Sequence, residues 1–251
     1  MFPLRDENPT LRTPVAVMSI IAFNIAAWAL AQGFGEGAHL AQSLCDWGLI
    51  PGELLHTAEP GTLIPLGEGL ACRLEPSASL FTMVTHMFLH GGWFHLIGNM
   101  WFLWVFGDNV EDAMGPDRFW IFYLLCGLAA ASAQIISNPS AAIPMVGASG
   151  AIGGVMGGYA RLYPHARIIT FLFLGFYATT FAVPALAMLG YWFFIQLASG
   201  IPALQEAGGG VAFWAHAGGF VAGVLLVKPM VRPELLANHL SHDRPPSRPW
   251  R

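Results

Sequence analysis

The stretch His86-Met87-Phe88-Leu89-His90-Gly91-Gly92-Trp93-Phe94-His95-Leu96-Ile97-Gly98-Asn99 sets three histidines and an asparagine at the head of an apolar segment. That segment runs on as Met100-Trp101-Phe102-Leu103-Trp104-Val105-Phe106. Polar groups that enter hydrocarbon are costly and mark function by default. On a helix His95 and Asn99 lie four residues apart on one face, so both can aim a hydrogen-bond donor at one point. Two later polar residues in apolar surroundings, Ser149 and His216, are candidates for what that face looks toward.

The surrounding chain reads as membrane protein. Of its 251 residues 55% are hydrophobic and only 10% charged, where soluble domains carry about 25% charged residues. The net charge is -4 with no basic block, which argues against a nucleic-acid partner. Six apolar runs stand out: residues 14–31, about 92–106, 119–136, 149–163, a segment within 168–197, and 211–227. Several fall short of the roughly 20 residues of a full crossing, which implies local bilayer thinning or entry from a dipping loop. With both termini on one side, that side collects 10 of the 11 basic residues and leaves only Arg73 opposite. The positive-inside rule then places both termini in the cytoplasm.

The expected fold is an all-α polytopic membrane protein, a bundle of six transmembrane helices over residues 14–230. A cytoplasmic segment, 1–13, precedes it, and a mobile tail rich in Pro, Arg and His, 231–251, follows. Residues 33–91 form a long outer loop, partly helical and lying at the interface. The charge-free connection 137–148, with Pro139 and Pro144, suits a loop that re-enters the membrane. Gly175, Thr179, Thr180 and Pro184 suggest that 168–180 runs along the interface before the fifth crossing. Cys45 and Cys72 share the long loop, and both a bridge and two free thiols fit the sequence. The short, mixed-charge segment before the first apolar run suggests a retained helix and a bacterial-type plasma membrane, with the polar cluster toward the periplasmic or outer side.

Ser149 lies in Gly147-Ala148-Ser149-Gly150-Ala151-Ile152-Gly153-Gly154-Val155-Met156-Gly157-Gly158, where the charge-free loop becomes the fourth helix. The plain reading is a serine that caps a helix. Its surroundings suggest more. Gly150, Gly154 and Gly158 recur every four residues, as do Gly153 and Gly157, which clears two helix faces for close packing. The last helix offers a matching surface in Ala215, Gly219 and Gly223, beside His216. Close packing brings a serine and an imidazole from different helices within the roughly 2.6–3.2 Å that a nucleophile and its base require. His216 is the candidate base. Asn99, a ring N–H of His95 and the backbone N–H of Ser149 are candidate donors to an oxyanion.

No Asp or Glu falls at the outer ends of these helices to orient His216, so the reading is a dyad rather than a triad. His90 is assigned a supporting hydrogen bond in preference to a metal site, because no third ligand is evident; neither metal nor cofactor is expected. The G-A-S-G-A context is not a nucleophile elbow, and neither an H-E-x-x-H zinc motif nor a G-x-G-D aspartyl motif is present.

Three segments resemble the rhomboid intramembrane serine proteases: His90-Gly91-Gly92-Trp93-Phe94-His95-Leu96-Ile97-Gly98-Asn99-Met100, Gly147-Ala148-Ser149-Gly150, and Ala215-His216-Ala217-Gly218-Gly219 with Gly223. The resemblance covers about residues 14–227 in order. It implies a serine endopeptidase that cuts single transmembrane helices near the outer membrane face, with Ser149 as nucleophile and His216 as base and later acid. His95, Asn99 and the Ser149 amide would form the oxyanion hole. Two departures stand out. Some members carry, four residues after the serine, an aromatic that packs on the catalytic histidine, where this chain has Gly153; and the Trp-Arg dipeptide of some first loops is absent. Two other classes remain open at this level: a catalytically silent rhomboid-like protein that binds membrane helices as a chaperone or trafficking factor, and a small transporter. The latter lacks an internal repeat and intramembrane charge.

Overall fold

The computed structural model describes residues 2–67, 69–76, 79–175, 177–203 and 212–242. In chain order the elements are β1 (Phe2–Asp6), α1 (Val15–Leu30), α2 (Gly37–Trp47), α3 (Pro51–Leu54), β2 (Leu63–Gly67), β3 (Leu70–Arg73) and α4 (Thr82–Thr85). They continue with α5 (Trp93–Met114), α6 (Pro116–Ser137), α7 (Ser149–Leu162), β4 (Arg167–Phe173), β5 (Ala178–Pro184), α8 (Ala185–Ala203), α9 (Phe213–Met230) and α10 (Pro233–His242). The chain is mostly helical, with a long helix on each of the six apolar runs. By length and composition α6 and α9 can cross a bilayer, and α1 and residues 185–201 of α8 are apolar but shorter. Large apolar side chains face outward around them, among them Phe23, Leu30, Phe94, Ile136, Phe194 and Leu225. Such a continuous apolar exterior fits lipid rather than water.

The bundle is built around α7, and glycine sets how closely its neighbours approach. A Cβ on Gly219 or Gly223 of α9 would overlap the carbonyl oxygen of Gly150 or Gly154 on α7. On the α6 side, a Cβ on Gly150 would come within 2.6 Å of Ala130 Cβ. The backbones of α7 and α9 therefore touch directly, α6 packs its Ala130 and Cys126 side chains against the α7 glycines, and no larger residue fits these positions without moving a helix.

The fold is not all-α. Residues 168–180, expected to lie along an interface, form most of an antiparallel hairpin, and β1 adds to it to give a sheet ordered β1-β4-β5. Ile168, Ile169, Thr170 and Phe171 in one strand and Thr179, Thr180, Phe181 and Val183 in the other are β-branched or aromatic, types that suit a pleated surface. Gly175, at φ +79°, lies in the connection between them. A second hairpin, β2-β3, lies in the long loop. Cys45 of α2 and Cys72 of β3 are disulfide-bonded, so the bridged alternative is the one realised.

The segment 231–251, expected to be mobile, begins instead as α10, with the His239 side chain fully buried. His239 Nε2 lies 3.2 Å from Asn8 Oδ1. Residues 243–251 lie outside the described residues. The second apolar run also extends further than its hydropathy suggests, because α5 continues to Met114 through Glu111 and Asp112. Glu111 serves the first helix, its carboxylate accepting from the N–H groups of Ala16 and Val17 at 2.9 and 2.8 Å, and Asp112 accepts from the Leu11 N–H in the segment before it. Pro14, at the head of α1, makes no side-chain cap of its own, so the orphan donors of that helix are satisfied by its neighbour.

Candidate active site

Ser149 is the first residue of α7, and Ala148 before it makes no side-chain capping bond. The serine hydroxyl is engaged elsewhere: its Oγ lies 2.8 Å from Nε2 of His216, in the first turn of α9. The direct backbone contact of α7 with α9 makes this short link possible, since it sets two first-turn residues side by side. The other ring nitrogen of His216, Nδ1, lies 2.8 Å from Oε1 of Gln196 on α8. Trp192, one turn earlier on α8, sets its ring 5.8 Å from the imidazole, and also packs on Phe220. The space opened by Gly153 is thus filled from α8. The sequence reading missed Gln196 and Trp192 because it looked for a carboxylate partner and for an aromatic on α7. The available signal was a lone amide in the apolar run Trp192-Phe193-Phe194-Ile195-Gln196.

His95 sits in the first turn of α5 and accepts the Gly91 N–H at Nδ1, at 3.2 Å. A neutral ring that accepts at Nδ1 carries its proton on Nε2. That nitrogen faces Gly147: a Cβ at this position would stand 2.7 Å from His95 Nε2 and 3.5 Å from Ser149 Oγ. The space left free by the glycine is therefore bounded by the Ser149 hydroxyl on one side and an N–H donor on the other. Gly147 also has φ +127°, a conformation that L side chains resist. Its N–H donates to the His86 carbonyl at 2.9 Å, which ties the loop before α7 to the histidine-rich segment. Asn99, one turn along α5 from His95, is buried, and its Nδ2 has no protein partner. A buried amide donor with no acceptor in the protein suits a site that receives a charge during reaction.

His90 does not make the expected hydrogen bond. Its ring nitrogens have no protein partner, and the ring meets His95 edge to face at 5.1 Å. Its backbone is what is fixed, because Gln32 at the end of α1 donates to the His90 carbonyl at 2.8 Å and accepts its N–H at 2.9 Å. Gln32 was also missed, since nothing local marks a polar residue that follows an apolar helix. Among the described residues no group of three or more His, Cys, Asp or Glu side chains could hold a metal.

The model of the Rhomboid domain matches residues 77–233. The chain belongs to the rhomboid family. Its similarity to rhomboid protein 1, mitochondrial, of Saccharomyces cerevisiae is 29% identity over 153 residues, covering 59% of this chain and 41% of the yeast protein. To rhomboid-like protein 11, chloroplastic, of Arabidopsis thaliana it is 39% identity over 75 residues, 30% of this chain and 26% of the relative. To rhomboid protease GluP of Bacillus subtilis it is 35% over 114 residues, 45% of this chain and 21% of the relative. The matches thus span less than half of each of these rhomboid relatives. Their names include mitochondrial and chloroplastic proteins as well as a bacterial one, so rhomboid membership does not support the bacterial plasma membrane suggested by the N-terminal segment.

Proposed function

We propose that this rhomboid protein is an intramembrane serine endopeptidase that cleaves transmembrane segments through Ser149 and His216. The observation that carries the reading is the 2.8 Å contact between Ser149 Oγ and His216 Nε2. In the proposed reaction Oγ attacks the scissile carbonyl carbon while its proton moves to Nε2, and the carbonyl oxygen becomes an oxyanion. His95 Nε2–H, Asn99 Nδ2 and the Ser149 N–H supply donors for that charge. The C–N bond then breaks as Nε2 returns the proton to the departing amine, which leaves an acyl-serine. Water attacks the ester as Nε2 takes its proton, and on collapse the C–Oγ bond breaks while Nε2 returns that proton to Oγ, which restores Ser149 and frees a carboxyl product. No metal or cofactor enters this sequence.

The proposal includes six membrane crossings with both termini cytoplasmic, which rests on the distribution of basic residues. Ser149, His216 and His95 all occupy first turns of helices that start on the opposite side under this topology, where water reaches the acyl-enzyme. The substrates are helices of other membrane proteins that enter from the bilayer. Cleavage of a transmembrane reporter in proteoliposomes is expected to vanish in Ser149→Ala and in His216→Ala, with thermal unfolding unchanged. Labelling by a fluorophosphonate is expected in the parent and absent in Ser149→Ala. Cleavage that persists in either variant would overturn the Ser149–His216 assignment, and a parent that neither cleaves nor labels would favour a silent, helix-binding relative.

A further inference from the structure

We infer that Gln196 is a positioning residue that fixes the tautomer and aim of His216, completing with an amide the role that a carboxylate plays in a serine-protease triad. The inference rests on Ser149 and His216 being nucleophile and base. A neutral imidazole has one N–H and one lone pair, and only the lone pair accepts the serine proton. The amide oxygen Oε1 of Gln196 accepts and cannot donate, and it lies 2.8 Å from His216 Nδ1. The proton is thereby held on Nδ1, which leaves Nε2 as the acceptor 2.8 Å from Ser149 Oγ. An amide turned end for end would donate to Nδ1, drive the proton onto Nε2 and disable the base.

The environment suits this work. Gln196 is 9% exposed, so water competes little for either partner. Trp192 packs against the imidazole at a tilt of 38°, and Phe193 stacks on Phe220 at 4.7 Å, which fastens α8 to α9 beside the pair. Among the described residues, the one other titratable side chain in electrostatic reach of the ring is His95 on α5. A neutral partner also fits the location, because a buried carboxylate in low dielectric carries a desolvation cost that an amide avoids. When Nε2 takes the serine proton, the amide oxygen continues to accept from Nδ1–H and offers the imidazolium the negative end of its dipole.

The test is steady-state cleavage of a transmembrane reporter by the full-length protein in proteoliposomes. Gln196→Met keeps the length of the side chain and removes the acceptor; kcat is expected to fall at least about tenfold with KM within about twofold, since the loss of an oriented base is felt in the chemical step. Gln196→Glu restores an acceptor; kcat is expected to recover, and the acid limb of its pH profile to move to higher pH as a carboxylate favours the imidazolium. A Met variant with parental kcat overturns the inference, as does a folded Glu variant as inactive as the Met variant. Should the Met variant fail to accumulate, the Glu variant decides alone, and an unmoved acid limb overturns the inference. Persistent cleavage by Ser149→Ala would instead overturn the Ser149–His216 assignment on which the inference rests, so the two failures are distinguishable.

Discussion

At the scale of single residues, the site depends as much on atoms that are missing as on those present. Gly147 leaves open the space between His95 Nε2 and Ser149 Oγ, and its φ of +127° orients the loop that delivers the serine. Under the proposed mechanism Gly147→Ala is expected to abolish both reporter cleavage and fluorophosphonate labelling, because its methyl group would stand between His95 Nε2 and Ser149 Oγ. Asn99→Ala is expected to lower kcat by about 10²–10³-fold, the usual effect of removing one oxyanion donor, with little effect on unfolding temperature since Nδ2 has no protein partner to lose. The residue pattern His95, Asn99, Ser149 and His216 was legible in the sequence because each is a polar group in apolar company. Gln32 and Gln196 were not. Their partners, the His90 backbone and the His216 ring, lie 58 and 20 residues away, and neither shares a local period with its partner.

At the scale of elements, the glycine spacing in α7 and α9 announced a close contact, while the sequence left open which helix meets which face. The structure has Gly153 and Gly157 facing α9, and Gly150 and Gly154 touching α6 as well as α9. Gly219→Ala is therefore expected to push α9 from α7 and carry His216 away from Ser149, with cleavage falling about 10²-fold or more, as displacements near 1 Å can do. Gly190 on α8 is the control: nothing lies within 4 Å of a Cβ there, so Gly190→Ala should leave kcat unchanged and hold or slightly raise the unfolding temperature. Hydropathy alone did not reveal β4 and β5, since an apolar run of this length fits a strand as well as a helix. The strand reading emerges only when β4 and β5 are paired with each other across the turn at Gly175, with β1 from the N-terminal segment added at the other edge of β4.

At the scale of the whole molecule, the end opposite the site is closed by β1 and α10. β1 pairs with β4, and α10 brings His239 next to Asn8. Asp6, at the end of β1, accepts a hydrogen bond from the Tyr159 hydroxyl on α7. Burial outweighs that bond and pushes the Asp6 carboxyl up to about 7. Because an unfolded Asp titrates near about 4, the folded chain binds the extra proton between about 4 and 7. Its stabilising contribution is full below that window and lost as the pH rises through about 7. The unfolding temperature in detergent should thus decline from pH 5 to pH 8, and Asp6→Asn should flatten that decline; an equal slope in both proteins would refute the assignment.

The order in which the chain is made gives the contact between α7 and α9 one more consequence. His216 belongs to the last of the six long helices, 67 residues after its serine. A nascent chain that has exposed everything through α8 holds the nucleophile, the oxyanion donors and Gln196, yet has no base. Under the proposed mechanism, hydrolytic competence therefore arrives only once α9 has been made and seated against α7, and neighbouring helices in a crowded insertion site are exposed to an inert protein until then.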